Sequence, residues 1–571
     1  MIKRHPGPSP HFTVPQRRLG PSLYPGRVPR IRALSCCLAL AVATPVFAAE
    51  MVTHLFTSWY GVEAGTTVFK VNRNRLKPES AGLIDQVRDY YKIELADGDT
   101  PPERVSVPTG VKVRAEVATK TAQWFVADQP WESGGVGLIR LVHDHGLYRV
   151  WYYASSGELR DKVMVLPNGR KKLTTEGEVV SALCYMESRD AVNWVKPHLG
   201  LVEFRGSKEN NIVSLDPRIR GPGGMSIFID PSAPPAERYK TTTNLMIWVI
   251  DPNTKLTGAR IAGAVSPDGL RWTPIPEPLT STSNNDGGPD THYEEQTGKY
   301  VQYMRSNYTR RRSISRAETR DFRHWPDSAL ILTPGPDEDP STDYYSNTYV
   351  RYPGAASTHL MLVSAYHRDT SLVDVQLATS MDGDAWNWLS PRSVVQLGRP
   401  GDWDGGMLWI CGDMVRLPDG RAAVPLMGGS TRHEESWREK FESGYVNIRG
   451  IAWATWEDGR IAGIEAEKTG EFTTLPMKAT GQPIEVNVRT GQSGFAQVDV
   501  LVDTPGRAVP ELALRAKPLT GDLGWQTLAL AEKDLAPLAN ATIRLRFHLF
   551  DAKVFGVRGA GLEWVSTYSR K

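Results

Sequence analysis

Cysteine is nearly missing. Of the four in 571 residues, Cys36 and Cys37 stand in an N-terminal apolar run, which leaves Cys184 and Cys411 for the rest of the chain. A disulfide framework is excluded, and the two remaining sulfurs are either a pair of buried thiols or one bridge, a choice that spacing does not make. No Cys/His set has zinc-ligand spacing. The apolar run Leu34 to Phe47 is too short to cross a bilayer, so stable membrane insertion is not expected. A strong charge of one sign is missing too. Lys3, Arg4, Arg17, Arg18, Arg27, Arg30 and Arg32 crowd the first 48 residues without an acidic partner, and removing those seven from the formal +3 leaves −4. The basicity belongs to the leader, and nucleic acid is not the expected partner.

That leader has a basic segment, a short apolar segment and the small pair Ala48-Ala49. It is therefore read as a secretory signal over residues 1–49, which implies a secreted or periplasmic protein. The basic segment is longer than such a signal needs, and a shorter, more typical one begins at Val28.

Long helical periodicity is also lacking beyond Glu132. In its place a turn recurs: Glu187-Ser-Arg-Asp-Ala-Val-Asn-Trp194, Ala264-Val-Ser-Pro-Asp-Gly-Leu-Arg-Trp272, Ala317-Glu-Thr-Arg-Asp-Phe-Arg-His-Trp325 and Ala378-Thr-Ser-Met-Asp-Gly-Asp-Ala-Trp386. Each has a hydroxyl residue, an Asp two positions later and then a Trp. The Ser or Thr and the Asp bond nearby amides, Gly269 and Gly383 permit positive φ, and the Trp anchors the outgoing strand. The copies lie roughly 50 to 80 residues apart, the spacing of four-stranded propeller blades. Alternation at period two in Leu147 to Tyr153, Met225 to Ile229, Leu245 to Ile250 and Leu360 to Ala365 agrees with strands.

The expected fold is therefore all-β, a five-bladed β-propeller followed by a C-terminal β-sandwich. Residues 50–131 form a lead-in that packs on the propeller and includes a helical stretch from Ser80 to Ile93. The propeller occupies 132–467, with units beginning near Glu132, Asn210, Asp286, Asp343 and Asp402. The sandwich occupies 468–571.

In a propeller the starts of the innermost strands converge on the axis. Those starts offer Glu132, Asn210-Asn211, Asp290, Asp343 and Asp404, a carboxylate-rich ring. Glycoside hydrolysis needs such a pair, one carboxyl to protonate the leaving oxygen and one to activate water or attack the anomeric carbon. Glu132, Asp290, Asp343 and Asp404 are the catalytic candidates, and His292, Arg305, Tyr344 and Trp403 the substrate-binding ones. Asp402 and Asp286 read as turn residues, and Arg310-Arg-Arg312 as a solvated loop. Arg220 with Gly221 to Gly224 is a weaker anion-binding candidate.

Phe228-Ile-Asp-Pro-Ser-Ala-Pro-Pro-Ala-Glu-Arg-Tyr-Lys240, Gly298-Lys-Tyr-Val-Gln-Tyr-Met-Arg305 and the repeated turn resemble secreted bacterial proteins described as glycoside-hydrolase-like five-bladed propellers. The wider architecture resembles the clan of glycoside hydrolase families 32, 43, 62 and 68. No family 32 nucleophile, Arg-Asp-Pro or Glu-Cys motif stands intact here. The acidic positions of family 43 imply Glu132, Asp230 or Asn211, and Asp290. The resemblance implies an exported glycosidase acting on a polysaccharide or oligosaccharide, with no organic cofactor and at most a structural calcium. A noncatalytic carbohydrate-binding propeller, a sialidase-like enzyme with converging Arg220, Arg305 and Arg312, and a polysaccharide lyase are the rivals.

Overall fold

The computed structural model describes residues 50–68, 103–156, 160–165, 169, 171–176, 180–215, 225–245, 260–280, 288–336, 338–435, 448–504, 509–530 and 534–565. The expected signal, the expected helix Ser80 to Ile93, all but the first residue of the expected strand Leu245 to Ile250, Asp286 and Arg220 to Gly224 lie outside them. Among the described residues every helix is a single 3-10 turn, and the fold is all-β. None of these helices is long and apolar enough to cross a membrane.

Successive strands pair antiparallel in meanders, as the period-two alternation requires. The first sheet orders Gly135–Asp144, Leu147–Ser156, Val180–Ser188 and Ile212–Ser214. The second contains Met225–Ile229, Tyr239–Leu245, Arg260–Ser266 and Thr273–Pro274, and the third Asp290–Glu294, Lys299–Tyr308, Arg311–Thr319 and Ala329–Leu332. Two further meanders, Thr342–Tyr352 through Asn387–Val395 and Met407–Ile410 through Arg449–Trp456, are hydrogen-bonded into one larger, curled sheet. One expected boundary moves. Ile212–Ser214 pairs with Val180–Ser188, so Asn210 and Asn211 close the first sheet, and the second begins at Met225.

The leading strands of neighbouring meanders touch. The Ser226 hydroxyl donates to the Thr291 carbonyl (3.2 Å) and accepts from the Thr291 amide (3.1 Å). The Thr348 hydroxyl donates to the Ile410 carbonyl at 2.7 Å. The Leu141 amide donates to the Cys411 carbonyl at 3.2 Å, and the Asp413 amide to the Leu141 carbonyl at 3.0 Å. Apolar clusters fill the spaces between sheets, for example Leu138, Leu141, Val150, Cys411, Met427 and Ile451 between the first and last meanders. Cys184 and Cys411 are both free and buried.

The repeated turns are built as their residues require. Asp190, Asp268 and Asp382 each accept two amides, those of Val192 and Asn193, Leu270 and Arg271, and Asp384 and Ala385. The residue after each Asp has positive φ: Ala191 at 58°, Gly269 at 74° and Gly383 at 75°. The last two turns also lock to a neighbouring sheet. Trp151 Nε1 donates to the Gly269 carbonyl at 2.8 Å and the Tyr303 hydroxyl to the Gly383 carbonyl at 2.7 Å.

The lead-in is divided between partners. Thr119–Lys120 pairs with Arg449–Trp456, the last strand of the final meander. Met51–Leu55 instead pairs with the C-terminal strand Thr542–Ala560. That long strand also pairs with Ile484–Val502 and with Ala462–Thr473, over a core that includes Phe472, Val486, Val498, Leu545 and Phe547.

Candidate functional site

Arg140 stands alone as a cation in the apolar strand Gly135–Asp144, where a register shift between Leu138 and Arg140 re-aims it. Its side chain is 4% exposed, and each terminal nitrogen meets a carboxylate: Nη1 bonds Asp290 Oδ1 at 2.8 Å, and Nη2 pairs with Asp413. Asp290 opens the leading strand of the third sheet and Asp413 follows that of the last meander, so one guanidinium joins three distant stretches of chain. Two carboxylates offset the cost of burying this charge. Burial alone would lower the Arg140 pKa, but Asp413 and Asp290 together raise it.

Asp290 is buried and fully occupied. Besides Arg140 it meets His292 Nε2 at 2.9 Å and accepts the Tyr349 amide. Burial pushes its carboxyl up, yet His292, Arg140 and the Tyr349 amide outweigh that and hold it below the usual range, so it stays ionised. Asp413 differs: its side chain is 36% exposed. His292 is 13% exposed, and Arg140 Nη2 lies 3.3 Å from its Nε2 and 3.4 Å from its Nδ1. Behind the cluster, the Tyr349 hydroxyl donates to Glu294 at 2.6 Å and lies 2.7 Å from His359 Nδ1. The cluster thus holds a fixed negative charge at Asp290 beside the solvent-open carboxyl of Asp413.

The other candidates lie elsewhere. Tyr349 touches Asp290, and Asp343 is six residues back along the same strand, roughly 20 Å at 3.3 Å per residue. Carboxylates that share a glycosidic bond lie about 5 to 9.5 Å apart, so Asp290 and Asp343 do not form the expected pair. Asp404 is placed in the turn ahead of Met407–Ile410 and pairs with Lys120, whereas it is Asp413, beyond that strand, that meets Arg140. Glu132 sits in the turn Pro130–Glu132 and accepts the amides of Asp128 and Gln129, the Tyr152 hydroxyl and the Lys196 ammonium. These four donors anchor it at the entry to the first sheet. Asn211 braces Trp131, Tyr152 and the Tyr185 carbonyl. Asp230 is fully buried against Lys240 and Tyr300.

Asp343 bonds the Arg312 amide at 3.1 Å and its guanidinium at 2.7 Å, so Arg312 is held in a strand, not in a solvated loop. Arg305 and Arg312 lie 4.8 and 5.0 Å from the Tyr345 ring, whose hydroxyl is 3.0 Å from His433 Nε2. Tyr344 points the other way, buried with its hydroxyl on Glu338, and so serves the core and not a substrate.

Trp403 and Asp404 belong to a third place, an open depression of about 520 Å³ lined also by Lys120, Leu397, Arg399 and Asp402. Lys120 pairs with Asp404 and donates to the Gln396 carbonyl at 2.9 Å. Among the described residues no group of three or more His, Cys, Asp or Glu is arranged to hold a metal ion.

Sequence reasoning found Asp290 and His292 but missed Arg140 and Asp413. A lone Arg in Gly135-Val-Gly-Leu-Ile-Arg-Leu-Val142 was the available signal, since a charge inside an apolar strand has to be paired.

No family model and no curated protein matches the chain. Solved structures do. An N-acetylgalactosamine deacetylase from F. plautii, in complex with blood group B trisaccharide, is 12% identical over 60% of this chain and 96% of its own, at TM-score 0.37. A glycoside hydrolase family 43 arabinoxylan arabinofuranohydrolase from Bacillus subtilis is 13% identical over 75% and 95%, at TM-score 0.31. A sucrose-6-phosphate hydrolase from Lactobacillus gasseri is 10% identical over 80% and 94%, at TM-score 0.35. Superpositions this loose transfer no residue from one chain to another.

Proposed function

We propose that the chain is an exported glycoside hydrolase whose reaction centre is the Arg140 cluster. In this reading the meanders form a five-bladed propeller, which the contacts between successive leading strands support, and the C-terminal strands form a sandwich beside it. The observation that carries the reading is the bridging of Asp290 and Asp413 by one guanidinium. Groups bound to the two ends of a planar guanidinium lie within roughly the 5 to 9.5 Å that glycoside hydrolysis uses.

The two carboxylates divide the work by environment. Asp290, ionised and fixed by three donors, faces the positive charge that develops at the anomeric carbon. Asp413, at the solvent-facing side of the cluster, stands where the departing glycosidic oxygen takes up its proton. The C–O bond breaks, water supplies the oxygen of the new C–O bond, and its proton returns to a carboxylate. His292 fixes Asp290 and completes the polar wall. The substrate is a carbohydrate, water is the second reactant, and the reaction needs no organic cofactor.

Release of reducing ends from a panel of plant, algal and bacterial polysaccharides tests this. Asp413→Asn should lower the thermal midpoint, because it withdraws one partner of Arg140, yet remain folded at the assay temperature and lose about 10²- to 10⁴-fold in rate. Full activity in that variant would remove Asp413 from the reaction. No release from any polysaccharide by the unaltered chain would remove the hydrolase reading itself.

A further inference from the structure

Trp403 has an unusual seat. Gly428 and Gly450 face each other across two paired strands, Ala422–Gly429 and Arg449–Trp456. A Cβ on Gly428 would stand 2.9 Å from Cε3 and Cζ3 of the Trp403 ring, and one on Gly450 2.5 Å from Cε3. Side chains do not approach so closely, so the two glycines hold a place open for the indole. The turn that carries it is tied down on both sides. The Gly398 amide donates to the Asp404 carbonyl at 3.0 Å, the Asp402 amide to the Arg399 carbonyl at 3.0 Å and the Gly405 amide to the Asp402 carbonyl at 2.9 Å. A Cβ on Gly398 would lie 2.0 Å from Asp404 Oδ1, so a third glycine makes room for that carboxylate.

The ring borders the depression of about 520 Å³, which is within the range of small-ligand sites. Its charged lining is Lys120 and Arg399 against Asp402 and Asp404, two of each sign. Balanced charge disfavours a net anion or cation. A fixed aromatic ring favours an apolar face, and carboxylates beside cations favour a ligand rich in hydroxyl groups, which both donate and accept. A neutral pyranose ring has these properties together.

We propose that Trp403 is the platform of a second carbohydrate-binding site, which holds one pyranose of a neutral polysaccharide apart from the Arg140 cluster. Asp402, Asp404, Lys120 and Arg399 supply the hydrogen bonds to its hydroxyls. The inference shares with the proposed function only the premise that the ligand is a glycan. The site binds and performs no chemistry, so its role is to hold polymer near the reaction centre.

Affinity electrophoresis through gels containing arabinoxylan, xyloglucan, galactomannan or laminarin tests the platform, with the unaltered chain, Trp403→Ala, Trp403→Phe, Asp402→Ala and Asp290→Asn run side by side. The unaltered chain and Asp290→Asn should be retarded by at least one polymer. Trp403→Ala should bind it about tenfold more weakly, with Trp403→Phe between them. Asp402→Ala, at an exposed turn position, should weaken binding without disturbing the fold. Retardation of both Trp403→Ala and Asp402→Ala equal to that of the unaltered chain would overturn the inference. So would loss of retardation equal to that in Trp403→Ala by an Asp290→Asn variant whose circular dichroism spectrum shows it still folded, which would mean one site and not two, and so would the absence of retardation by all four polymers. Because the readout is binding, Trp403-dependent retardation without any hydrolysis would sustain this site while refuting the hydrolase reading.

Discussion

Acid should weaken this fold through one imidazole in particular. His359 lies on the strand Ala355–His367, 3% exposed, with the Tyr349 hydroxyl 2.7 Å from Nδ1 and the Glu294 carboxylate 3.8 Å away. Burial first, and then the charge of Arg351, lowers its pKa from 6.5 to about 4, against the opposing pull of Glu294. In the unfolded chain the ring titrates at its ordinary value, so between pH 6.5 and 4 unfolding takes up a proton that the folded state refuses. The stabilising contribution is therefore fully present above pH 6.5 and is lost as pH falls toward 4. A difference of 2.5 units at 1.36 kcal/mol each amounts to about 3 kcal/mol. The measurement is urea unfolding followed by tryptophan emission from pH 7.5 to pH 4, on the unaltered chain and on His359→Gln, which keeps a hydrogen-bonding side chain. The stability difference between the two should shrink by about 3 kcal/mol over that range, while other titrating groups cancel. Curves that stay parallel would show that His359 takes up its proton in the fold as readily as in the unfolded chain and would refute the reasoning.

The Arg140 cluster gives a second test: Arg140→Met and Asp290→Asn should each cost about 3 to 5 kcal/mol, because each strands a buried charge or its partners. The double variant should cost clearly less than their sum, and a double-mutant cycle in urea that came out additive would deny the coupling. Among the turns, Gly383→Ala and Gly420→Ala share a positive φ, but Gly383 also has the Tyr303 hydroxyl 2.8 Å from where a Cβ would stand, while Gly420 has open space. Both should lose about 1 to 2 kcal/mol of thermal stability, and Gly383→Ala more; equal losses would mean that Tyr303 yields freely. The thiols of Cys184 and Cys411 should resist a disulfide reagent at pH 8 until the chain unfolds, since both are buried and burial pushes Cys411 up to about 12. Rapid labelling of the folded chain would show that the cores around them open.

The strands were legible in the sequence because alternation and the Ser-x-Asp turn are local signals: the hydrogen bonds of Asp268 and Asp382 depend only on the next few residues. The place of Ile212–Ser214 was not legible, since a short apolar strand carries no mark of which neighbour it joins. The candidate site was half legible for a similar reason. Asp290 stood at a strand start, where convergence on an axis is expected, and His292 came with it. Arg140 is recruited by carboxylates 150 and 273 residues further on, and its direction depends on a strand irregularity that no residue type announces. The reading of Tyr344 failed on strand parity. In Asp343-Tyr344-Tyr345 adjacent side chains face opposite ways, and it is Tyr345 that lies beside the arginines.

The pairing of Met51–Leu55 with Thr542–Ala560 sets a schedule as well as a structure. Met51 faces Ala560, and at 5 to 20 residues per second a ribosome needs roughly 25 to 100 s to add what lies between them. For all that time the first strand has no partner, and the sheet that will receive it does not yet exist. Thr119–Lys120 waits in the same way for Arg449–Trp456. The chain is therefore obliged to remain open at the second seam until Arg449–Trp456 has been made, and at the first until Thr542–Ala560 has. A nascent chain stalled before residue 542 should stay sensitive to protease at its first strand, however well its inner meanders have already formed.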